Sequence, residues 1–155
     1  MNKTNAVRII ETAKVDYSTH IYNVDENDLS GIKVAKKINA EPESVFKTLV
    51  AHGDKTGIIV FCIPVTEELN LKKAAKESGN KKVELIKAKE LLPLTGYVRG
   101  GCSPIGMKKK YPVFLDETVN LFDKIYVSAG IRGMQVCLAP KDLTELTEAN
   151  LCDVI

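Results

Sequence analysis

Two apolar runs decide most of what this chain can fold into. Val45-Phe46-Lys47-Thr48-Leu49-Val50-Ala51 and Gly57-Ile58-Ile59-Val60-Phe61-Cys62-Ile63-Pro64 are rich in β-branched and aromatic residues, and His52-Gly53-Asp54-Lys55 between them is a turn signal. They predict a hairpin of buried strands, which the rest of the chain must cover. Lys47 breaks the apolar pattern. Residues of alternate parity share a face, so its ammonium points the same way as Val45 and Leu49. Burying an unpaired ammonium is expensive. Either the strand is an edge that uses lysine against aggregation, or the lysine faces a pocket with an anionic or carbonyl partner. On pattern alone the edge reading leads.

The flanking segments read as helices and further strands. Thr4 can cap a helix with Ala6, Ile9, Ile10 and Ala13 inward up to about Val15, and residues 17–24 alternate like a strand. Ser30 caps a second helix that ends before Glu41-Pro42, and Asn70 a third from Leu71 to Ser78 that Gly79 stops. Residues 88–92 form a short helix stopped by Pro93. Strands follow at 113–115, 124–128 and 134–138, then a helix from Pro140 and a short terminal strand at Val154-Ile155. The chain has no repeat, linker or low-complexity segment. The expectation is one domain over residues 1–155, of α+β class, with a mixed or mostly antiparallel sheet.

Net charge of +2 conceals a strong asymmetry. Residues 70–111 carry 11 basic and 3 acidic side chains, a net +8, between flanks of −2 (8 basic, 10 acidic) and −4 (3 basic, 7 acidic). Such a block is an electrostatic footprint for a polyanion, nucleic acid first, although a solvated lysine-rich helix face would look the same. No apolar run approaches the ~20 residues of a membrane span, and the N-terminus has no apolar signal region, so a cytoplasmic protein without a membrane is expected. Cys62, Cys102, Cys137 and Cys152 form no C-x-x-C pair, and with only His20 and His52 present no zinc or other metal site is expected.

The stretch from Gly96 to Lys110 holds four of the ten glycines, with Arg99 before and Lys108, Lys109 and Lys110 after Gly100-Gly101-Cys102-Ser103-Pro104. It reads either as a tight turn or as a shaped loop whose peptide N–H groups bind an anion. Cys102 invites a nucleophile hypothesis but lacks a base in the pattern, so a small apolar loop residue is the simpler reading. A second loop, Ser128-Ala129-Gly130-Ile131-Arg132-Gly133, resembles the first in setting an arginine between glycines.

Four pieces then coincide in order and spacing: Tyr22 in Thr-His-Ile-Tyr, Lys47 in Val-Phe-Lys-Thr-Leu, the Gly96–Gly106 loop, and Ser128–Gly133. Together with Leu-Asn-Leu-Lys-Lys-Ala-Ala-Lys ahead of the loops, they make the chain resemble the YbaK/EbsC family of Cys-tRNA(Pro) deacylases over nearly its whole length. The family is similar to the editing domain inserted in bacterial prolyl-tRNA synthetases. The resemblance implies a mixed, barrel-like sheet surrounded by helices, a trans-editing hydrolase of misacylated tRNA, no cofactor, and prolyl-tRNA synthetase as a partner. It moves Lys47 from edge to pocket, and implies Gly100 and Gly101 as backbone donors to the ester carbonyl. Ser128, Ala129 and Gly130 become a facing wall, and Tyr22 a contact for the terminal adenosine. Phe46, Thr48, Arg99 and Arg132 join the substrate-binding set, with Lys108, Lys109, Lys110, Lys72 and Lys73 as tRNA contacts. It also implies that the substrate's own cysteine thiol attacks the ester. The family pattern reads Ser-Gly-Gly-x-Arg-Gly, so Ala129 departs from it, with the expectation of a restricted backbone and a narrowed pocket. Another mischarged species such as Ala-tRNA(Pro), or a tRNA- or synthetase-binding module without catalysis, stays open, as does monomer against homodimer.

Overall fold

The computed structural model describes residues 3–155. Five helices and eight strands follow one another as α1 (Asn5–Thr12), β1 (Tyr17–Ile21), α2 (Gly31–Lys37), β2 (Phe46–Gly53), β3 (Gly57–Pro64), α3 (Leu71–Ser78), β4 (Val83–Leu85), α4 (Ala88–Thr95), β5 (Val113–Asp116), β6 (Ile125–Ser128), β7 (Met134–Leu138), α5 (Pro140–Thr147) and β8 (Asn150–Cys152). The helix starts are where side-chain oxygens can satisfy free N–H groups. Thr4, Ser30 and Asn70 accept from the N–H of Val7, Lys33 and Lys73 at 3.1, 3.3 and 3.0 Å.

The strands make two sheets, one of three strands ordered β1-β7-β6 and one of five ordered β4-β2-β3-β5-β8. The hairpin register runs from Phe46 opposite Pro64 to Gly53 opposite Gly57; β3–β5 and β5–β8 are parallel and every other pairing is antiparallel. A parallel bridge between Val45 and Tyr126 joins the sheets, so they curve together as the expected mixed, mostly antiparallel, barrel-like arrangement with helices around it. Phe46, Val50, Val60, Leu115, Val127 and Val136 pack between the sheets with Ile10 of α1 and Leu143 of α5. Ala51, Ile59, Phe61 and Ile63 face the other way, onto Ala74 and Ala75 of α3.

Three local expectations need correction, and one strand carries no sequence signal. β1 stops at Ile21 rather than Val24: the N–H of Tyr22 still donates to the Gly133 carbonyl, after which the chain leaves the sheet. β4 has no strong pattern in its three residues and forms because His52 and its neighbours offer an open side of β2. α4 runs through Pro93 to Thr95, since proline removes one donor only and Leu91 and Leu92 still accept from the Thr95 hydroxyl and the Gly96 N–H. The last strand is residues 150–152; Val154 instead donates its N–H to buried Asp116 at 3.0 Å and accepts from Asn70. Among the described residues no helix is long and apolar enough to cross a membrane.

Candidate active site

A cleft of about 380 Å³ opens where the first residues of β2 meet the ends of β6 and β7, beneath the start of α2 and the Arg99–Cys102 loop. Phe46, Lys47, Thr48, Arg99, Gly100 and Ser128 all line it, so the structure brings these six together from three separate parts of the chain. Lys47 and Arg99 are its only charged lining residues among those described, and neither takes part in an ion pair there. A cleft with apolar walls and two unmatched cations favours an anionic or strongly polarised ligand.

The setting of Lys47 reconciles its two readings. β2 lies inside its sheet, with Lys47 opposite Ile63 of β3, but β4 pairs only with residues 51–53. Lys47 therefore stands, half-buried, on a stretch whose second side has no ladder partner and borders the cleft.

The two glycine loops touch through their backbones. A Cβ on Gly101 would come within 3.0 Å of the Arg132 nitrogen and the Ile131 carbonyl carbon, so only glycine permits this approach. The Arg132 side chain completes the contact by donating from Nε to the Arg99 carbonyl at 2.7 Å. Gly100 takes the left-handed conformation, φ 83°, which turns the chain along the cleft wall. The donor role expected of Gly101 does not fit this arrangement: its N–H is spent on the Val98 carbonyl at 2.9 Å, and it lies outside the cleft lining. The N–H of Gly100 has no partner among the described residues.

Other expected residues sit beside the cleft rather than in its lining. Tyr22 and Arg132 border a smaller crevice that shares Leu29, Val34 and Gly100 with it. Ala129 is fully buried in the core, with its N–H on the Met134 carbonyl and its own carbonyl accepting from Thr4 Oγ1 at 2.6 Å. Its φ is not positive, so alanine is unstrained there and narrows nothing. Gly130 is half-buried over the Tyr97 ring and donates its N–H to Ser128 Oγ at 3.2 Å. Lys73 is held by Asp153 at 3.0 Å and by the Ile155 carbonyl at 2.7 Å, and Lys110 by Glu148; Lys72, Lys108 and Lys109 are exposed.

Cys102 lines the cleft, yet burial pushes its thiol up to about 12, which leaves it protonated and unreactive at neutral pH. Among the described residues no three His, Cys, Asp or Glu side chains gather as a metal ion requires.

Gln135 was missed in the sequence. It lines the cleft opposite Ser128 in the β6–β7 register, is only 6% exposed, and its Oε1 has no hydrogen-bond partner among the described residues. A polar residue inside the apolar run Met134–Leu138 is the same signal that singled out Lys47. The start of α2, Leu29–Val34, also forms wall that no motif marked.

Comparison with known proteins gives these features a context. Residues 29–146 match the aminoacyl-tRNA editing domain family. The chain is 49% identical over 152 residues, 98% of its length and 93% of the other's, to an Enterococcus faecalis protein provisionally named Cys-tRNA(Pro)/Cys-tRNA(Cys) deacylase EbsC. It is 27% identical over 110 residues to a proline–tRNA ligase of Brachyspira hyodysenteriae, 70% of this chain but 19% of the ligase. A solved structure described provisionally as a trans-editing enzyme for prolyl-tRNA synthetase shares the fold, with a TM-score of 0.82 at 24% identity over 99% of this chain and 98% of that one.

Proposed function

Since the chain belongs to the aminoacyl-tRNA editing domain family, we propose that residues 1–155 form one trans-editing domain that deacylates misacylated tRNA in the cytoplasm, Cys-tRNA(Pro) foremost. The observation that carries this reading is the cleft itself: two unmatched cations, Lys47 and Arg99, on apolar walls, with no activated protein nucleophile beside them. Such a site positions and polarises an ester rather than attacking it.

In this reading the Lys47 ammonium holds the terminal ribose or phosphate and offsets the charge that develops on the ester oxygen, and the Gly100 N–H donates to that oxygen. Thr48 and Ser128 supply hydroxyls to the aminoacyl group and Phe46 a wall. Arg99 meets a phosphate, while Arg132 positions the Arg99 backbone. Tyr22 stacks on the terminal adenosine from the neighbouring crevice. Gly101, Ala129 and Gly130 act one layer back, by keeping the two loops in register.

The nucleophile then arrives on the substrate. Its cysteine sulfur attacks the neighbouring carbonyl carbon, an S–C bond forms, the ester C–O bond breaks, and the proton lost by the thiol ends on the ribose oxygen, giving a cyclic thiolactone and free tRNA. Proximity and oxyanion stabilisation each contribute on the order of several kcal/mol to such a step. Alanyl and prolyl esters have no thiol and are spared. Prolyl-tRNA synthetase is the partner that would deliver the substrate.

Deacylation of purified Cys-tRNA(Pro), Ala-tRNA(Pro) and Ser-tRNA(Pro) tests this. We expect the cysteinyl ester to be cleared fastest, and Lys47→Ala to lower its single-turnover rate by about a hundredfold or more. An unchanged rate in Lys47→Ala would remove that lysine from the mechanism. Hydrolysis of an S-capped cysteinyl ester would replace the substrate thiol with an activated water, and no hydrolysis of any ester would leave a binding module.

A further inference from the structure

Lys72, Lys76 and Lys81 border a groove of about 430 Å³ between α3 and β4, with Leu71, Ala75 and Val83 as its floor. All three lysines are exposed, and none takes part in an ion pair among the described residues. Lys82 shares the rim but is held by Glu84 at 2.8 Å. Three unneutralised cations over an apolar floor suit a chain of phosphates whose sugars can lie on the floor.

The rim is fixed in place. Buried Asn80 accepts at Oδ1 from the N–H groups of Lys55 and Thr56 at 2.8 and 3.0 Å, which ties the end of α3 to the β2–β3 turn. The Asp54 carboxylate accepts from the N–H groups of Lys81 and Lys82 at 2.9 and 3.0 Å, so these side chains leave from an anchored backbone. Less of the binding energy is then lost to ordering the site.

The groove adjoins the cleft through Leu49, which lines the cleft and packs in the same cluster as Ala75 and Val83 of the groove floor. Lys47, Leu49 and Ala51 share one face of β2, and Leu49 and Ala51 pack in the same cluster as Ala74, Ala75 and Val83 around the groove. At ~3.3 Å per residue, Ala51 is about 13 Å along the strand from Lys47. A stacked single strand covers a similar distance in about four nucleotides, at ~3.4 Å each. The lysines at 109 and 110 border a different cleft, where Lys110 is neutralised by Glu148.

We propose that the α3–β4 groove is the docking surface for the phosphates of the tRNA acceptor stem, with the unpaired 3′ end passing Leu49, which lines the cleft and packs in the groove's cluster, so that its ester reaches Lys47. The occupant follows from the deacylase reading; the surface follows from the lysines. The test is the affinity of an uncharged tRNA(Pro) transcript, read by fluorescence anisotropy between about 50 and 200 mM salt. The Lys72→Glu/Lys76→Glu/Lys81→Glu variant should bind about tenfold or more weaker, with a salt slope reduced by about three, one per phosphate contact. The corresponding triple alanine variant should lose a smaller share in the same direction, and Lys124→Glu, an exposed lysine elsewhere, should bind as the parent does. Unchanged affinity and slope in both triple variants overturn the proposal. So does an equal loss from Lys108→Glu/Lys109→Glu, or displacement of the tRNA by a poly-glutamate peptide of matched charge, which would mark the groove for an acidic protein. Hydrolysis of Cys-tRNA(Pro) by the parent is assayed in parallel: its absence would overturn the deacylase reading while the binding result stands by itself.

Discussion

Lys47 and Gln135 each interrupt an apolar strand, and both face the same cleft from different sheets. Lys47 is half-buried with no ion-pair partner, whereas the buried Gln135 Oε1 has no hydrogen-bond partner among the described residues, which costs stability and is tolerated where a ligand completes the site. The cost can be read out at Gln135. Replacing it with methionine, similar in volume but without the orphaned carbonyl, should raise stability by about 1 kcal/mol in urea titration, while slowing Cys-tRNA(Pro) clearance in single turnover. A fall in stability would mean that the amide is satisfied in solution. Cys102 sits in the same wall with its thiol held up at about 12, and Cys102→Ala should stay within about threefold of the parent rate.

At the scale of elements, the site is a seam. The loops after α4 and after β6 are linked by the close approach of Gly101 to Ile131 and Arg132 and by the Arg132–Arg99 hydrogen bond. Gly101→Ala should therefore destabilise the protein by about 1–3 kcal/mol and impair deacylation, although Gly101 lies outside the cleft lining. Thermal melting and single-turnover rates check both halves, and an alanine variant with parent stability would show that the seam has slack. α4 and β4 show why element limits escape local pattern. Pro93 signals a stop, but the Gly96 C-cap and its neighbours' hydrogen bonds carry the helix past it; Val83–Leu85 gains strand form only because β2 offers it a partner.

At the scale of the whole molecule, stability should be flat near neutral pH and fall on both sides. Backbone N–H groups, Lys82 first, hold the Asp54 carboxyl below its ordinary range, and a hydrogen bond from Lys3 and then one from Tyr17 do the same for Glu11. Groups with a depressed folded pKa stabilise the fold above their unfolded values of ~4, and that contribution is lost as pH falls further. Burial pushes the Tyr97 hydroxyl and the Cys62 thiol up to about 12. Their contribution is complete below their unfolded values, ~10 and ~8.5, and drains away as pH rises toward 12. Urea midpoints measured from pH 3 to 11 should trace this plateau, and Asp54→Asn should soften its acid limb. An acid limb identical in that variant would assign it to other carboxylates.

The amino-acid sequence by itself determined the hairpin, the capped helices, the α+β class and the two glycine loops, because each depends on contacts a few residues apart: a cap, a turn, an alternating face. Residue patterns and family resemblance also picked out Lys47, Arg99, Gly100 and Ser128 without any distance between them. Only the tertiary structure decided that these four share one cleft, that Gly101 is a spacer whose N–H is already used, and that Lys73 and Lys110 are neutralised by Asp153 and Glu148. The neutralising partners lie 38 and 80 residues away in the chain, and the cleft gathers residues farther apart than any local pattern spans.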